Sequence, residues 1–291
     1  MTVIIFLIVL AVLIFVHELG HFLVAKACGI RVDAFAIGFG PKLIKKTVGE
    51  VTYSINLIPF GGYVKIFGEN PDDESIQGPD IARSFVHKAK WKQVAVLFAG
   101  IFFNFLFAWL LITIAFTSGV PTSVDSYPEY RDRMVNQHIT ITYINEGSPA
   151  EKAGLKAGDQ IIAQSLEEIQ SSINDSKTDG VEIRYIRSDV ESKATVIAEE
   201  GIVEGKYAIG IAMDNVATLK LPFFKSIAEG LKMTWYMITA TVVGIYTLIS
   251  GLFTGTANLS AVTGPIGIAG LIGDAAQLGF AYLIMFTAII S

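Results

Sequence analysis

Apolar positions dominate the start of the chain, where fifteen successive residues, Thr2 to Val16, carry no charge. Fifteen residues are too few to cross a hydrocarbon core of roughly 30 Å at 1.5 Å per residue, so the helix is expected to continue through His17 and His21. No Lys or Arg precedes the segment, whereas a secretory signal begins with a basic region. The pattern predicts a retained transmembrane helix over residues 1–27.

A second uncharged segment, VAVLFAGIFFNFLFAWLLITIAFTS, predicts another transmembrane helix over residues 94–118, with a single Asn104 near its middle. Lys26 and the region between the two helices, 28–93, together contain ten Lys and Arg residues, and nothing basic precedes the first helix. Because cytoplasmic loops are enriched in Lys and Arg, this region is predicted to be cytoplasmic and the N-terminus to lie outside.

Residues 120–221 have the composition of a soluble domain, with alternating stretches such as HITITYI and VEIRYI that predict strands. Its run GSPAEKAGLKAGDQII, from Gly147 to Ile162, predicts a turn, a short helix and a strand, and it resembles the PDZ domain of bacterial proteases. A PDZ domain binds a peptide as an added strand. A peptide receptor, a structural spacer and a substrate filter all remain open.

Three further regions follow the soluble domain. Residues 223–253 include an uncharged stretch of 21 residues, long enough to cross a membrane. Residues 254–278 are rich in glycine and are predicted to be a loop, and residues 279–291 are predicted to begin a transmembrane helix that is cut short.

Composition agrees with a membrane protein, since 52% of the residues are hydrophobic, 17% are charged and the mean hydropathy is +0.53. The formal net charge of −5 argues against a nucleic-acid partner, which would require clustered Lys and Arg. The single cysteine, Cys28, excludes an internal disulfide bond.

The candidate chemistry lies in VHELGH, residues 16–21, at the end of the first apolar run. On a helix, His17 and His21 project from one face and can bind one zinc ion together. Glu18 can act as a general base towards a water molecule that the metal activates. Ionisable side chains within a membrane are costly to bury without partners, so the cluster indicates a functional site rather than a pair of structural histidines.

Several motifs occur together with VHELGH in one order along the chain: FAIGFGPKLIKK, INLIPFGGYVKIFGE, FAGIFFNF and TGPIGIAG. In combination they resemble the site-2 protease family, closest to bacterial regulator-of-sigma-E proteases with one PDZ domain. The resemblance implies an α-helical transmembrane core with a membrane-embedded β-hairpin region and an inserted extracytoplasmic PDZ domain of α+β type.

The resemblance implies that His17 and His21 are Zn²⁺ ligands and that Glu18 is the catalytic base. The hairpin glycines, including Gly61 and Gly62, match the region where an unwound substrate could pair as an added strand. Asn104 matches the family's Asn near the active site, although a helix-packing role is equally open.

The family's third zinc ligand, an Asp in a Leu-Asp-Gly motif, does not occur in this sequence and is expected beyond residue 291. Asp274 is not a substitute, because it lies just after the Gly-Pro loop. In the family the last helix runs from outside inward, so residues 223–253 are interpreted as a helix on or dipping into the outer face, with a true span as the alternative.

The leading hypothesis is an intramembrane zinc endopeptidase of the bacterial inner membrane. It would cleave single-pass transmembrane proteins, such as an anti-sigma factor or signal-peptide remnants, in regulated intramembrane proteolysis. Its N-terminus and PDZ domain would be extracytoplasmic and its active site near the cytoplasmic face. The alternative is a non-catalytic PDZ scaffold that senses extracytoplasmic chain ends. A zinc transporter is disfavoured, because the second helix offers no further ionisable residue along a path.

Overall fold

The computed structural model describes residues 2–70, 72–176, 179–187, 189–203, 206–256 and 263–291. The chain forms two compact units, one made of Met1–Ala115 and Phe223–Ser291 and the other of Phe116–Pro222. The helices and strands, in chain order, are α1 (Thr2–Ala27), β1 (Val32–Val48), β2 (Val51–Ile66), α2 (Asp73–Gln77), α3 (Lys90–Ser118), β3 (Val120–Ser123), β4 (Met134–Ile144), α4 (Pro149–Lys152), β5 (Gln160–Ile161), α5 (Leu166–Ser176), β6 (Val181–Arg187), β7 (Val190–Val196), β8 (Glu199–Val203), β9 (Lys206–Ala208), β10 (Ile211–Leu219), α6 (Phe223–Thr254), α7 (Pro265–Leu278) and α8 (Phe280–Ile290).

Three helices, α1, α3 and α6, are long and apolar enough to cross a membrane within the described part of the chain. Helix α3 begins at Lys90, four residues before the predicted start, because its first turn tolerates the polar residues of KWKQ. Helix α6 is continuous over 32 residues. Its length and hydropathy permit both the surface position and the true span.

Helices α1 and α3 approach each other closely at Gly20. A Cβ atom at Gly20 would lie 2.6 Å from the carbonyl oxygen of Ala99 and 2.9 Å from the Cβ atom of Phe103. Small residues allow helix backbones to approach, and in lipid this packing replaces the hydrophobic driving force that water provides. The contact fixes the helix pair that carries the candidate site.

Helix α7 corrects the sequence-based prediction of a Gly-rich loop at 254–278, because Pro265–Leu278 is helical. Pro265 occupies the first turn, where its fixed φ favours a helix and its missing N–H costs nothing. Glycines such as those in this segment are common in membrane helices. Gly279, with φ +119°, then reverses the chain into α8. Helices α7 and α8 pack against α1 around the buried side chains of Val9, Leu13 and Ile272.

Strands β1 and β2 form a ribbon that folds back on itself. Residues 34–37 of β1 pair with β2 on two sides. On one side they pair antiparallel with residues 62–65, and on the other side they pair in parallel with residues 52–55. The outer half of β1 pairs antiparallel with β2 from Lys42 opposite Asn56 to Val48 opposite Val51. Four strand segments thus lie side by side, and the segment ending at Ile66 is at one edge.

The two ends of this ribbon differ in polarity. At one end the turns expose the apolar side chains of Phe39, Ile58 and Phe60. At the other end, Glu50 forms an ion pair with Arg83, and the Arg83 guanidinium lowers the pKa of the Glu50 carboxyl group. One end of the ribbon is therefore apolar and the other end is charged.

The unit Phe116–Pro222 contains a six-stranded antiparallel sheet in the order β3-β10-β4-β5-β6-β7. The run from Gly147 folds as its sequence predicts: Ser148 caps α4, Gly154 and Gly158 have φ +83° and +94°, and β5 follows. Ile141, Ile169 and Val196 belong to a core that joins α5 to the sheet.

A buried ion pair stabilises this unit. The carboxylate of Asp159, 1% exposed, accepts two hydrogen bonds of 2.6 Å from Arg187 and one of 2.8 Å from the backbone N–H of Lys156. The Asp159 carboxylate raises the pKa of the Arg187 guanidinium. The pair joins the end of β6 to the loop before β5.

Candidate metal and catalytic site

His17 and His21 lie one turn apart on α1 and direct their ring nitrogens to one point. The Nε2 atoms are 3.2 Å apart, and the rings meet edge to face with centroids 4.9 Å apart. Their spacing of four residues places both side chains on one face of the helix, as predicted. Two imidazoles therefore converge within an apolar helix.

Helix α3 fixes the orientation of His21. Its Nδ1 atom lies 2.7 Å from the backbone carbonyl oxygen of Val96. A carbonyl oxygen only accepts hydrogen bonds, so Nδ1 carries the proton and donates it. The Nε2 atom of the neutral ring then presents a lone pair towards His17. Metal-binding histidines are commonly oriented by such a bond.

Gly100 provides the space in front of both rings. A Cβ atom at this position would lie 2.5 Å from Nε2 of His17 and 2.5 Å from Nε2 of His21. Any other L-residue would therefore press a side chain against the nitrogens. The glycine on α3 leaves this small volume to the two imidazoles.

The histidine pair fits a zinc ion. With Zn–N bonds of about 2.0–2.1 Å, two nitrogens of a tetrahedral site stand about 3.3–3.4 Å apart, close to the observed separation of 3.2 Å. No group of three His, Cys, Asp or Glu side chains converges within the described residues. Asp274, on α7, is exposed. The described chain thus brings together two nitrogen atoms that could bind a metal ion.

Glu18 lies beside strand β2. A Cβ atom at Gly62 would lie 3.2 Å from Cγ of Glu18, 2.9 Å from Cγ2 of Ile14 and 2.9 Å from the carbonyl oxygen of Ala36. The structure therefore places Gly62 directly against α1, next to the candidate base.

Gly61 has a different role, because its backbone has φ +104° and a Cβ atom there would lie within the ring of Phe39. It forms the turn that leads into the edge segment of β2. Phe39 in turn stacks on Tyr63, with ring centroids 6.3 Å apart. Gly61 shapes the strand, whereas Gly62 lies at the site.

Asn104 lies one helical turn after Gly100 on the same face of α3. Its side-chain oxygen is buried and has no hydrogen-bond partner within the described residues. Its backbone carbonyl accepts a hydrogen bond of 3.0 Å from the hydroxyl of Ser291, which follows α8. The end of α8 thus lies against the helix face that carries Gly100.

The sequence patterns did not identify two residues of the site. Val96 and Gly100 touch the histidines from a helix about 75 residues further along the chain. A signal for Gly100 was present, since a glycine interrupts the bulky apolar residues of FAGIFFNF, and such glycines mark close helix contacts. No pattern indicated Val96, because it contributes a backbone oxygen.

The chain is similar to known proteins over nearly its full length. The family model described as peptidase family M50 matches residues 5–291. A protein of Clostridium acetobutylicum, named as a candidate zinc metalloprotease, is 31% identical over 295 residues, which cover 99% of this chain and 79% of that protein. Similarly named proteins of Clostridium perfringens and Agrobacterium fabrum are 32% and 29% identical, over 100% and 98% of this chain and 81% and 78% of their own lengths.

Proposed function

Because the chain belongs to peptidase family M50, the family of the site-2 proteases, we propose that it cleaves single-pass transmembrane proteins within the bilayer. It is a zinc metalloprotease by this membership and by its similarity to relatives of that name. The observation that carries the proposal is the convergence of His17 and His21 beside Glu18 on an apolar helix.

His17 and His21 would hold the zinc ion through their Nε2 atoms, with Val96 fixing the tautomer of His21. When bound, zinc supplies Lewis-acid polarisation of a peptide carbonyl and of water. Glu18 would take the proton of the attacking water and deliver it to the leaving amine, as a general base and then a general acid. The described residues bring no third His, Cys, Asp or Glu to this pair.

Depth in the membrane supports an intramembrane reaction. Glu18 is nine residues before the end of α1, or about 13 Å along the helix, and Ile14 is about 20 Å from that end. Gly62 touches both residues, so the ribbon of β1 and β2 reaches the middle of an apolar helix. Its exposed apolar turn at Phe39 and Phe60 suits hydrocarbon. These features support a membrane-embedded hairpin.

Strand addition on β2 explains how a helical substrate could be cut. Each peptide bond of a transmembrane helix is enclosed in its own hydrogen-bonded turn, and the unwound backbone needs new partners in lipid. The edge of β2 beside Gly62 and Val64 would supply them next to Glu18. The buried oxygen of Asn104 could then accept a hydrogen bond from substrate or water.

The unit Phe116–Pro222 would act as the extracytoplasmic PDZ domain. A cavity of about 570 Å³ lies between α5 and the start of β10. Strand β3 pairs with β10 only from Val216 onward, so the first part of β10 has an unpaired side. An extended peptide could bind there as an added strand.

The cellular role follows from topology. With seven Lys and Arg residues between α1 and α3, the site would lie near the cytoplasmic face of the inner membrane. Cleavage there would release the cytoplasmic part of a substrate, such as an anti-sigma factor, or clear signal-peptide remnants.

The decisive experiment compares the wild type with Glu18→Gln in detergent. We expect both proteins to bind zinc by elemental analysis, because glutamine leaves both histidines in place. Cleavage of a single-pass model substrate should fall by at least about 100-fold in Glu18→Gln, as expected for loss of a general base. Equal cleavage by the two proteins would contradict the proposed role of Glu18. Zinc binding with no cleavage by the wild type would favour the scaffold alternative.

A further inference from the structure

The edge of β2 continues beyond the site. From Gly62 to Ile66 this segment pairs with β1 on one side, and no strand of the described chain pairs with its other side. A Cβ atom at Gly62, where this edge begins, would lie 3.2 Å from Cγ of Glu18. The open edge therefore starts at the candidate base and leads away from it.

The edge runs alongside α1 towards the end of that helix. Gly62 lies against Ile14 and Glu18, whereas the side chain of Ile66 belongs to the cluster around Ala25 and Cys28. A substrate strand added antiparallel to β2 would therefore enter from the Cys28 end and reach Glu18 in its N-to-C direction. Antiparallel pairing is slightly more stable per residue than parallel pairing.

A cavity of about 410 Å³ borders this edge, along residues 63–70. Four carboxylates line it and only two cations do, so it carries an excess of negative charge. The carboxylates are Asp33, Glu69, Asp72 and Glu74, and the cations are Arg31 and Lys65.

Arg31 adds little free positive charge to the cavity. It donates to Asp33 at 2.9 Å and to Asp80 at 2.8 Å, and its guanidinium lies 3.5 Å from the ring centre of Phe67. Glu69, in contrast, has no side-chain hydrogen bond or ion pair within the described residues, and it lines the cavity beside the edge. Glu69 is thus available to a cation near the site.

We propose that Glu69 and this cavity bind basic residues on the cytoplasmic flank of a single-pass substrate that is added along the edge. The inference rests on the proposed function and specifies its substrate class. At about 3.3 Å per residue, a Lys or Arg roughly three to five residues before the cleaved bond would lie beside Glu69. Single-pass proteins with a cytoplasmic N-terminus carry Lys and Arg on this flank. The antiparallel direction of the added strand sets the orientation of the substrate, and charge complementarity favours a basic flank.

The test uses the full chain with zinc and three model substrates that differ only in these flanking residues, which are Lys, Gln or Glu. We expect the wild type to cleave the Lys substrate about three- to fivefold faster than the Gln substrate, as a partly exposed ion pair allows. High salt should reduce this ratio, because salt screens exposed charges.

Variants of Glu69 assign the preference to the cavity. Glu69→Gln should bring the Lys-to-Gln ratio close to one, and Glu69→Lys should favour the Glu substrate. The matched control is Asp73→Asn, which removes a charge from the same loop at an exposed residue outside the cavity lining and should keep the wild-type ratio.

Binding separates this inference from the proposed function. In the Glu18→Gln background, the Kd of the uncleaved Lys substrate should be lower than that of the Gln substrate by a similar factor. Equal Kd values, or an unchanged Lys preference in Glu69→Lys, would overturn the inference. If the zinc-loaded wild type cleaves no substrate, the proposed function fails, and these Kd values alone decide whether the edge recognises basic flanks.

Discussion

At the scale of single residues, the site depends on positions without a side chain as well as on the side chains that converge there. His17 and His21 supply the nitrogens, but Gly100 leaves the space in which they converge. Val96 supplies a carbonyl oxygen that fixes one imidazole. Gly62 has a similar role beside Glu18, because the absence of a side chain allows β2 to contact α1.

Gly100→Ala tests the role of this space. The added methyl group would lie 2.5 Å from both Nε2 atoms and should displace the histidines. We expect zinc affinity to fall about 10- to 100-fold, the range typical of changes around metal ligands. Competition with a chelator, followed by elemental analysis, measures it.

Gly244→Ala on α6 is the matched control, because a Cβ atom there meets nothing within 4 Å. Alanine favours helix over glycine by up to about 1 kcal/mol, so neither change should unfold its helix. Equal zinc affinity in the two variants would show that the space at Gly100 is unimportant.

At the scale of elements, each unit is held by contacts between segments that are distant in sequence. In the first unit, α3 packs on α1 through Gly20, and the β1–β2 ribbon lies along the same helix. In the second, the Asp159–Arg187 pair joins a loop to a strand end. The Asp159 carboxylate is almost fully buried, so loss of its partner should reduce stability more than loss of the partner in an exposed pair.

Arg187→Met should destabilise the unit Phe116–Pro222 by about 3 kcal/mol, because it leaves the Asp159 carboxylate buried without its ion-pair partner. Lys193→Met, which breaks the exposed pair with Glu182, should cost less than about 1 kcal/mol. Hydrogen exchange of β6 and β7 in the full chain measures both. Protection should fall about 100-fold in the first variant and little in the second. Similar losses in the two would refute the difference in burial as the cause.

At the scale of the whole molecule, the proposal requires three environments for one chain. The apolar turn of the ribbon should be in lipid, its charged end in the cytoplasm and the soluble unit outside. The distribution of Lys and Arg supports this direction of insertion.

Cysteine labelling tests this arrangement in a Cys28→Ala background. Glu191→Cys, in the soluble unit, should react with a membrane-impermeant thiol reagent added to intact spheroplasts. Val48→Cys should react only after the membrane is opened, and Phe60→Cys, at the apolar turn, should react poorly in both cases. Reaction of Val48→Cys in intact spheroplasts would reverse the orientation. Strong labelling of Phe60→Cys after opening would place the ribbon in water.

Local pattern was sufficient for much of this protein. Continuous apolar runs gave α1 and α3, because length and hydropathy decide whether a helix can cross a membrane. A spacing of four put His17 and His21 on one face of α1, and the glycines and Ser148 gave the turns around α4. The prediction of a loop was wrong over Pro265–Leu278, since glycine in an apolar segment does not exclude a helix.

Contacts between residues that are distant in sequence could not be predicted in the same way. Val96 and Gly100 meet the histidines, and β1 and β2 fold back so that Gly62 reaches Glu18, only when the helices and the ribbon pack. Periodicity reports which face of an element is buried, but not which partner covers it. The residue types of the site were therefore evident in the sequence, whereas the space, orientation and strand edge around them arise from packing.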